Sequence, residues 1–135
     1  MAITVLKLKG MSTELGGLFQ GKKIFNADQL LEATTTPAAR KILAEQMGIS
    51  VQAVLELANR ADLARVKGIG GVFSDLLEQA GVDTIAELAK RRADNLYAKL
   101  VELNKEKSLA GRLPTLSAVE DWIAQAKALP RKLEY

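Results

Sequence analysis

The sequence predicts an all-α fold of about eight short helices, and three observations favour it. The 135 residues are 48% hydrophobic and 26% charged, a composition typical of a globular domain that can bury a core. Alanine and leucine, which favour helices, dominate, whereas aromatic residues make up only 4% and leave little from which to build a sheet. Helix start and stop signals recur at short intervals along the chain. We therefore expect a single helical domain over residues 1–135.

The middle of the chain predicts two helices in succession. Thr36 followed by Pro37 is typical of an N-cap and a first-turn proline, and Gly48 ends that helix. Its apolar positions recur at helical spacing and are expected to be buried: Ala39, Ile42, Leu43 and Met47. Ser50 is the N-cap of the next helix. The buried stripe expected on that helix consists of Val51, Val54, Leu55, Ala58 and Ala61.

A glycine turn at Gly68–Gly71 opens the next predicted helix, which ends at Gly81. The side chains expected to face its core are Val72, Phe73, Leu76, Leu77 and Ala80. Thr84 and Glu87 then have the spacing of a capping box, in which each side chain bonds the other's backbone N–H. The box predicts a short helix with an apolar face of Ile85, Leu88 and Ala89.

Two longer helices complete the predicted fold. Asp94 is expected to cap a helix that runs to about Glu106, with Leu96, Leu100 and Leu103 inward. Thr115 caps the last helix, which Pro130 stops. The residues that this helix is expected to bury are Val119, Trp122, Ile123 and Ala126. Residues 131–135 are expected to form a loose tail.

The sequence resembles itself at two offsets. A shift of 58 residues pairs Lys9-Gly10 with Lys67-Gly68 and Asn26 with Thr84, both of N-cap type. For the later helices an offset of 65 pairs Ser50 with Thr115. Because turn glycines and cap residues agree as well as apolar positions, we interpret residues 5–62 and 63–130 as two pseudo-repeated units.

The residue types that are missing restrict the function. The chain has neither cysteine nor histidine, which excludes thiol nucleophiles, disulfides, imidazole bases and nearly every transition-metal site. We expect no catalytic residue, metal, cofactor or small-molecule substrate. The net charge of +3 is weak support for a nucleic-acid partner.

The chain also lacks the signals of a membrane protein. No run approaches the roughly 20 apolar residues of a membrane span. The stretch Ala2–Leu8 is too short for a signal peptide, and Lys7 and Lys9 break it. We expect a cytoplasmic protein with no membrane partner.

Val66–Gly70, followed by an amphipathic helix and a second short capped helix, resembles the helix-hairpin-helix motif of DNA repair, recombination and replication proteins. The resemblance implies that backbone N–H groups at the start of the second helix hold a DNA phosphate, so binding is independent of sequence. The residues expected at this interface come from both glycine turns: Lys9, Gly10, Arg65, Lys67, Gly68, Ile69, Gly70 and Gly71. The expected partner is double-stranded DNA.

A wider resemblance covers most of the chain, from Leu6 to Pro130, and is most specific between Ala61 and Leu88. Over this length the sequence is similar to an uncharacterised bacterial family of tandem helix-hairpin-helix proteins, catalogued as a domain of unknown function. The resemblance implies a tandem helical fold and a DNA-binding ancestry.

Several alternatives stay open at the level of sequence. Glu14, Asp75 and Glu78 lie near the turns, where each carboxylate weakens the attraction for phosphate. The turns are therefore equally compatible with helix packing alone, in a protein that serves as an interaction or assembly adaptor for a protein partner.

Three further patterns have simpler explanations. Ala44, Gly48 and Val54 have helix-turn-helix spacing, but only Gln52, Asn59 and Arg60 in the following helix suit contact with DNA. The basic run Lys90–Arg92 is explained by the negative end of a helix dipole. Base-excising enzymes with this motif need a second domain for their pocket, for which this chain has no room.

Overall fold

Eight α-helices and one 3-10 helix follow one another in the computed structural model, which describes residues 3–135. The helices are the 3-10 helix Val5–Lys7, α1 Thr13–Gly21, α2 Ala27–Ala33, α3 Pro37–Met47, α4 Val51–Leu63, α5 Gly71–Gln79, α6 Ile85–Ala89, α7 Ala93–Lys107 and α8 Leu116–Ala128. Between residues 3 and 135 no β-strand forms, so the all-α prediction is confirmed. Met1 and Ala2, which belong to the expected domain and to the N-terminal apolar stretch, lie outside the described residues. Among the described helices, none has the length and apolar character needed to cross a bilayer.

Side-chain caps fix where most of the helices begin. Six helices start with a polar side chain that accepts a hydrogen bond from the third amide of the helix: Ser12, Asn26, Thr36, Ser50, Thr84 and Thr115. The four N-caps predicted in the middle and second half of the chain, at residues 36, 50, 84 and 115, are thus confirmed.

Two predicted caps are wrong in detail. The N-cap of α7 is Arg92, not Asp94; the Asp94 carboxylate lies in the first turn of the helix and binds the Arg92 guanidinium. A carboxylate in the first turn is still stabilised by the positive end of the helix dipole, which explains why the sequence pattern fits Asp94 in the first turn as well as at the N-cap. Of the capping box predicted at Thr84 and Glu87, only one half forms: the Thr84 hydroxyl accepts from the Glu87 N–H, but the Glu87 carboxylate lies 3.9 Å from the Arg91 guanidinium. A complete capping box forms between Asn26 and Gln29.

Two apolar clusters form the core, one in each half of the chain. The first contains Val5, Phe19, Leu30 and Leu57, among others. The second is centred on Leu76, Leu88, Leu100 and Trp122, among others. Apart from Leu133, which joins the first cluster, each half of the chain therefore buries its own apolar side chains.

Three side chains predicted to be buried are instead exposed: Ile42 by 56%, Val51 by 46% and Val72 by 41%. Val51 is the first residue of α4 and Val72 is the second residue of α5, so both side chains lie at the end of a helix, beyond its packed part. Ile42 lies one residue from buried Leu43 and hence about 100° around the helix from it. The real apolar stripes are narrower than the periodicity suggests.

The C-terminal segment corrects the expectation of a loose tail over residues 131–135. Leu133 is 2% exposed and joins the first apolar cluster. The backbone N–H of Glu134 donates to the carbonyl of Thr35 at 2.8 Å. The Tyr135 hydroxyl donates to the side-chain oxygen of Asn59 at 3.0 Å. The segment after Pro130 thus packs against the first half of the chain, because Leu133 is buried in the first apolar cluster.

The backbones of the two halves correspond closely. Helices α1 and α5 begin and end 58 residues apart, as do the first residues of α2 and α6. Helices α4 and α8 begin and end 65 residues apart. The left-handed residues repeat as well, since Gly10 and Lys23 precede Gly68 and Gly81 by 58 positions. Duplication of an ancestral unit stays a prediction, but the conformational match places the two glycine turns in equivalent positions.

Candidate nucleic-acid interface

Two glycine turns precede α1 and α5. Turn 1 comprises residues 8–12 and turn 2 residues 66–70. In each, the amide of the fourth residue donates to the carbonyl of the first: Met11 to Leu8 at 3.2 Å and Ile69 to Val66 at 3.1 Å. The glycines adopt φ values of +87° at Gly10 and +100° at Gly68, which side chains rarely tolerate. The same local geometry thus presents the start of α1 and of α5.

A large apolar side chain lies beneath each turn glycine. A Cβ atom on Gly68 would lie 2.9 Å from Nε1 of Trp122, and one on Gly10 would lie 3.7 Å from Cδ2 of Leu57. Turn 2 is therefore the more tightly supported, and Gly68 is required there for space as well as for conformation.

The two turn regions meet in one cleft. The Cα of Gly71, the first residue of α5, lies so close to the Lys7 carbonyl that a Cβ there would overlap the carbonyl oxygen. Between them lies an open cleft of about 430 Å³, formed by residues 6–11 together with Gly71 and Val72. The start of α5 and the chain leading into α1 thus form a shared surface.

Helix α5 differs from α1 in how its first turn is capped. The Ser12 hydroxyl accepts from the Leu15 amide at 3.0 Å at the start of α1. At the equivalent position α5 has Gly70, which has no side chain, so no side-chain cap bonds its first amides. The unpaired N–H groups of a helix's first turn, together with the helix dipole, favour an anion. The uncapped end opens on the shared cleft.

The lysines predicted for this interface are exposed. Lys9 and Lys67 occupy equivalent positions in the two turns. Of these two lysines Lys9 lines the cleft, as does exposed Lys7. The backbone of Lys67 is held by the Gln125 side chain, which accepts from its N–H at 2.9 Å and donates to its carbonyl at 3.1 Å. Turn 2 is thereby fixed to α8 while the ammonium group of Lys67 projects to solvent.

Two of the predicted interface residues have structural roles. Arg65 is bound on both sides, since its guanidinium lies 3.1 Å from the Asp62 carboxylate and donates to the Pro130 carbonyl at 2.8 Å. Ile69 is buried in the second apolar cluster. Of the eight predicted interface residues, the two lysines thus keep exposed side chains, and the four glycines contribute backbone.

The carboxylates expected to repel phosphate near turn 2 are paired. Arg60 of α4 lies 3.1 Å from Oδ1 of Asp75 and 3.1 Å from Oε2 of Glu78, the latter an ion pair by distance without hydrogen-bond geometry. All three side chains are largely buried, and they join α4 to α5. Much of the negative charge of Asp75 and Glu78 is therefore compensated within the fold. Glu14, near the start of α1, is exposed and keeps its repulsive potential.

Burial raises the pKa of the Glu78 carboxyl above its ordinary value, and the carboxylates of Glu56, Asp75 and Asp83 raise it further. The Arg60 guanidinium opposes these effects and lowers the pKa. The geometry and the pKa therefore agree that this carboxylate belongs to the interior of the fold.

Asp62 is a structural residue that sequence reasoning missed. It is buried, and its second carboxylate oxygen accepts from the Ile85 amide at 3.0 Å, which caps α6 from a distance of 23 residues in sequence. An acid at the end of the apolar α4 helix was the available signal, but its partner lies in the other half of the chain.

The contacts of the remaining basic and polar residues explain two other patterns. Asn59 and Arg60, which a helix-turn-helix would turn towards DNA, instead bind Tyr135 and the α5 carboxylates. In the basic run, Arg91 donates to the Gly81 carbonyl at 3.1 Å and Arg92 pairs with Asp94. These side chains are thus engaged within the fold.

Comparison with known proteins gives one match. The model of DUF4332, a domain of unknown function, matches residues 10–129. This range includes all eight α-helices, residues 10–12 of turn 1 and the whole of turn 2. No curated protein matches the chain, and no solved structure does.

Proposed function

This chain belongs to the DUF4332 family, whose function is unknown, and we propose that it is a non-enzymatic module that binds the phosphate backbone of duplex DNA without sequence preference. The observation that carries the proposal is the cleft between the turn regions, where the uncapped start of α5 meets Lys7 and Lys9. We interpret both glycine turns as helix-hairpin-helix motifs.

The proposed contact combines backbone amides and lysines. A phosphate oxygen bound at the start of α5 would accept from the free amides of its first turn. Gly70 allows close approach, because no Cβ intervenes and nothing lies within 4 Å of the position that a Cβ would take. Lys9 and Lys67 supply an ammonium group from each turn. Two equivalent turns suit two phosphates, one on each strand across a groove. Such contacts read the backbone and carry no base information.

The charge balance supports this arrangement better than the net charge of +3 suggests. Arg60 offsets one of the two negative charges of Asp75 and Glu78, so the acidic residues of α5 oppose the charge of Lys67 less than the sequence alone suggests. Glu14 leaves turn 1 the weaker of the two. We therefore expect moderate, strongly salt-dependent affinity.

Fluorescence anisotropy with a labelled 20-base-pair duplex tests the proposal at about 25 mM and about 150 mM salt. Each lysine that neutralises a phosphate contributes about −0.9 to the slope of log K against log salt. Lys9→Glu and Lys67→Glu should each weaken binding and reduce the slope by about one unit. The matched control is Lys105→Glu on α7, which makes the same charge change at an exposed position outside the turns. Absence of binding at low salt, or equal weakening by the control, would refute the proposal.

A second candidate function is a protein-interaction adaptor. It is favoured by large apolar side chains that stay exposed away from the turns, such as Ile42 and Phe25. An adaptor predicts a protein complex that the lysine substitutions in the turns leave intact, whereas DNA binding predicts the reverse.

A further inference from the structure

An open apolar groove lies at the end of α1 opposite turn 1. Its volume is about 690 Å³, and the ends of α1 and α2 and one face of α3 form its walls. Its apolar lining residues are Ile24, Ala33, Ala39, Ile42 and Leu43. Ile42 stands 56% exposed beside it. Positions 39, 42, 43 and 46 of α3 share one helical face. Leu43 is buried in the first apolar cluster, whereas Ile42 and Gln46 are exposed, so among residues 3–135 no helix covers this edge of the face.

The second half of the chain fills the space beside its own left-handed glycine. Lys23 corresponds to Gly81 at an offset of 58 residues, and the Arg91 guanidinium covers Gly81 and donates to its carbonyl at 3.1 Å. Arg91 lies just before the N-cap of α7, where the first half has Thr35 just before the N-cap of α3. The first half therefore has no arginine at this place, and Ala33, the last residue of α2, lines the open groove.

Lys23 occupies an unfavourable backbone conformation at the rim of this groove. Its φ is +65°, in the left-handed region where the equivalent Gly81 lies without strain at +91°. A lysine in the left-handed region costs conformational free energy that a glycine would not. Unfavourable backbone conformations concentrate at binding surfaces, which makes the position of this lysine informative.

The charged lining of the groove has one sign. Lys22 and Lys23 both line it and are exposed, and among residues 3–135 no carboxylate lines it. An apolar floor with two ammonium groups at one end is complementary to a ligand that is apolar along its length and acidic beside the apolar residues.

We propose that this groove docks an amphipathic helix of a partner protein, which packs apolar side chains against α3 and places carboxylates beside Lys22 and Lys23. A helix suits the site because α3 offers residues at i, i+3, i+4 and i+7 as one wall, the pattern by which helices bind in apolar grooves. This docking gives the adaptor candidate a location and a partner chemistry. It is independent of phosphate binding, because the groove and turn 1 lie at opposite ends of α1.

The probe for this site is a fluorescein-labelled, 18-residue helical peptide with leucines at i, i+3, i+4 and i+7 and glutamates beside them. Its comparison peptide carries lysines in place of the glutamates. We expect the glutamate peptide to bind by anisotropy and the lysine peptide to bind at least tenfold more weakly. Equal binding of the two peptides, or no binding of either, would overturn the proposal.

Variants of the chain locate the site. Ala33→Arg places a large side chain in the wall of the groove and should weaken peptide binding at least tenfold. Ala98→Arg, at an exposed position of α7, is the matched control and should leave binding unchanged. Ile42→Glu adds a carboxylate at an exposed position and should also weaken binding, so it decides the matter if the Ala33 variant misfolds. Unchanged binding by both groove variants rules the site out.

Lys23→Gly separates binding from structure. Glycine relieves the left-handed strain, so the melting temperature should rise while peptide affinity falls several-fold. A purely structural lysine predicts no loss of affinity. The same variants test two other occupants of the groove, a second copy of this chain and a phosphatidylserine vesicle. If Ala33→Arg abolishes self-association or vesicle binding, the groove binds that occupant and the proposal of a partner helix is wrong. Duplex binding by Ala33→Arg should stay at the wild-type level, so failure of this inference and failure of the proposed DNA binding are distinguishable.

Discussion

Replacing Arg60 tests how far the two halves of the chain depend on one ion-pair cluster. In Arg60→Met the apolar stem is kept, but Asp75 and Glu78 lose the only cation within 4 Å that the described structure gives them. Removing one partner of a buried ion pair costs about 3–5 kcal/mol. The lower end applies here, since the three side chains keep 12–20% of their exposure and Arg60 Nε is buried without an acceptor among residues 3–135. We expect a loss of about 2–3 kcal/mol at pH 7.

The loss should depend on pH in a defined direction. Without Arg60, the pKa of the Glu78 carboxyl in the folded protein rises further above its unfolded value, because burial and the neighbouring carboxylates are no longer opposed. The ionised Glu78 carboxylate then destabilises the fold above that pKa, and the penalty disappears as the pH falls towards about 4, where Glu78 is largely protonated in both the folded and the unfolded state. The stability deficit of the variant should therefore shrink between pH 7 and pH 4.

Urea unfolding at several pH values measures this deficit. Trp122 is the single tryptophan and is buried, so its fluorescence reports the second apolar cluster, and circular dichroism reports the helices of both halves. The control is Arg92→Met, which removes an exposed ion pair with Asp94 and should change stability little. A deficit in Arg60→Met that is below about 1 kcal/mol, or equal at pH 7 and pH 4, would refute this account of the cluster.

Three further predictions follow from single contacts. Gly68→Ala should destabilise the protein by about 1–3 kcal/mol, since it combines left-handed strain with a clash against Trp122 Nε1. The control is Gly111→Ala, whose Cβ meets open space, and equal urea-unfolding midpoints for the two variants would contradict the clash. Leu133→Ala should cost about 2–3 kcal/mol in urea unfolding because the side chain fills the first cluster, whereas no change would restore the expectation of a loose tail. The stability of Glu78→Gln relative to the wild type should fall as the pH is lowered from 7 to 4.5, because protonation then relieves the wild type alone; a rise on acidification would mean that the pKa of Glu78 is not raised.

Local rules predicted the features that depend on a few consecutive residues. The N-caps at Thr36, Ser50 and Thr115, and the buried face of α8, follow from side-chain hydrogen bonding and 3.6-residue periodicity, and the structure confirms them. The turn glycines were likewise readable, because a positive φ at Gly68 requires a residue without Cβ.

The features that sequence reasoning missed depend on residues far apart in the chain. Asp62 caps α6, Arg65 binds the carbonyl of Pro130, and Leu133 fills a cluster made by residues more than 70 positions earlier. None of these partners lies within a helical turn of the other, so no periodicity indicates them. The pairing of Asp75 with Arg60 was missed for the same reason, since Arg60 lies on another helix.

The positions beneath the two turns show how similar backbones acquire different roles. At an offset of 65 residues, Gln125 corresponds to Arg60. Gln125 bonds the backbone N–H and carbonyl of Lys67 and so stabilises its own turn. Arg60, with a longer side chain and a positive charge, lies 4.0 Å from the Cβ position of Gly10 but directs its charge to the carboxylates of α5. One position thus supports a turn in one half and joins the halves in the other.

This difference bears directly on where an anion would bind. Because Arg60 is paired with Asp75 and Glu78, it adds no free cation to turn 1 and offsets one of the two negative charges on the helix that follows turn 2. In the proposed complex we therefore expect the start of α5, which is uncapped and lies beside Lys7 and Lys9, to bind an anion better than the start of α1 does, although α5 has more acidic residues. Arg60→Met should for this reason weaken duplex binding even though Arg60 contacts no phosphate in the proposed complex. Binding that is unchanged in this variant, measured under conditions where it stays folded, would separate the anion site from the ion-pair cluster.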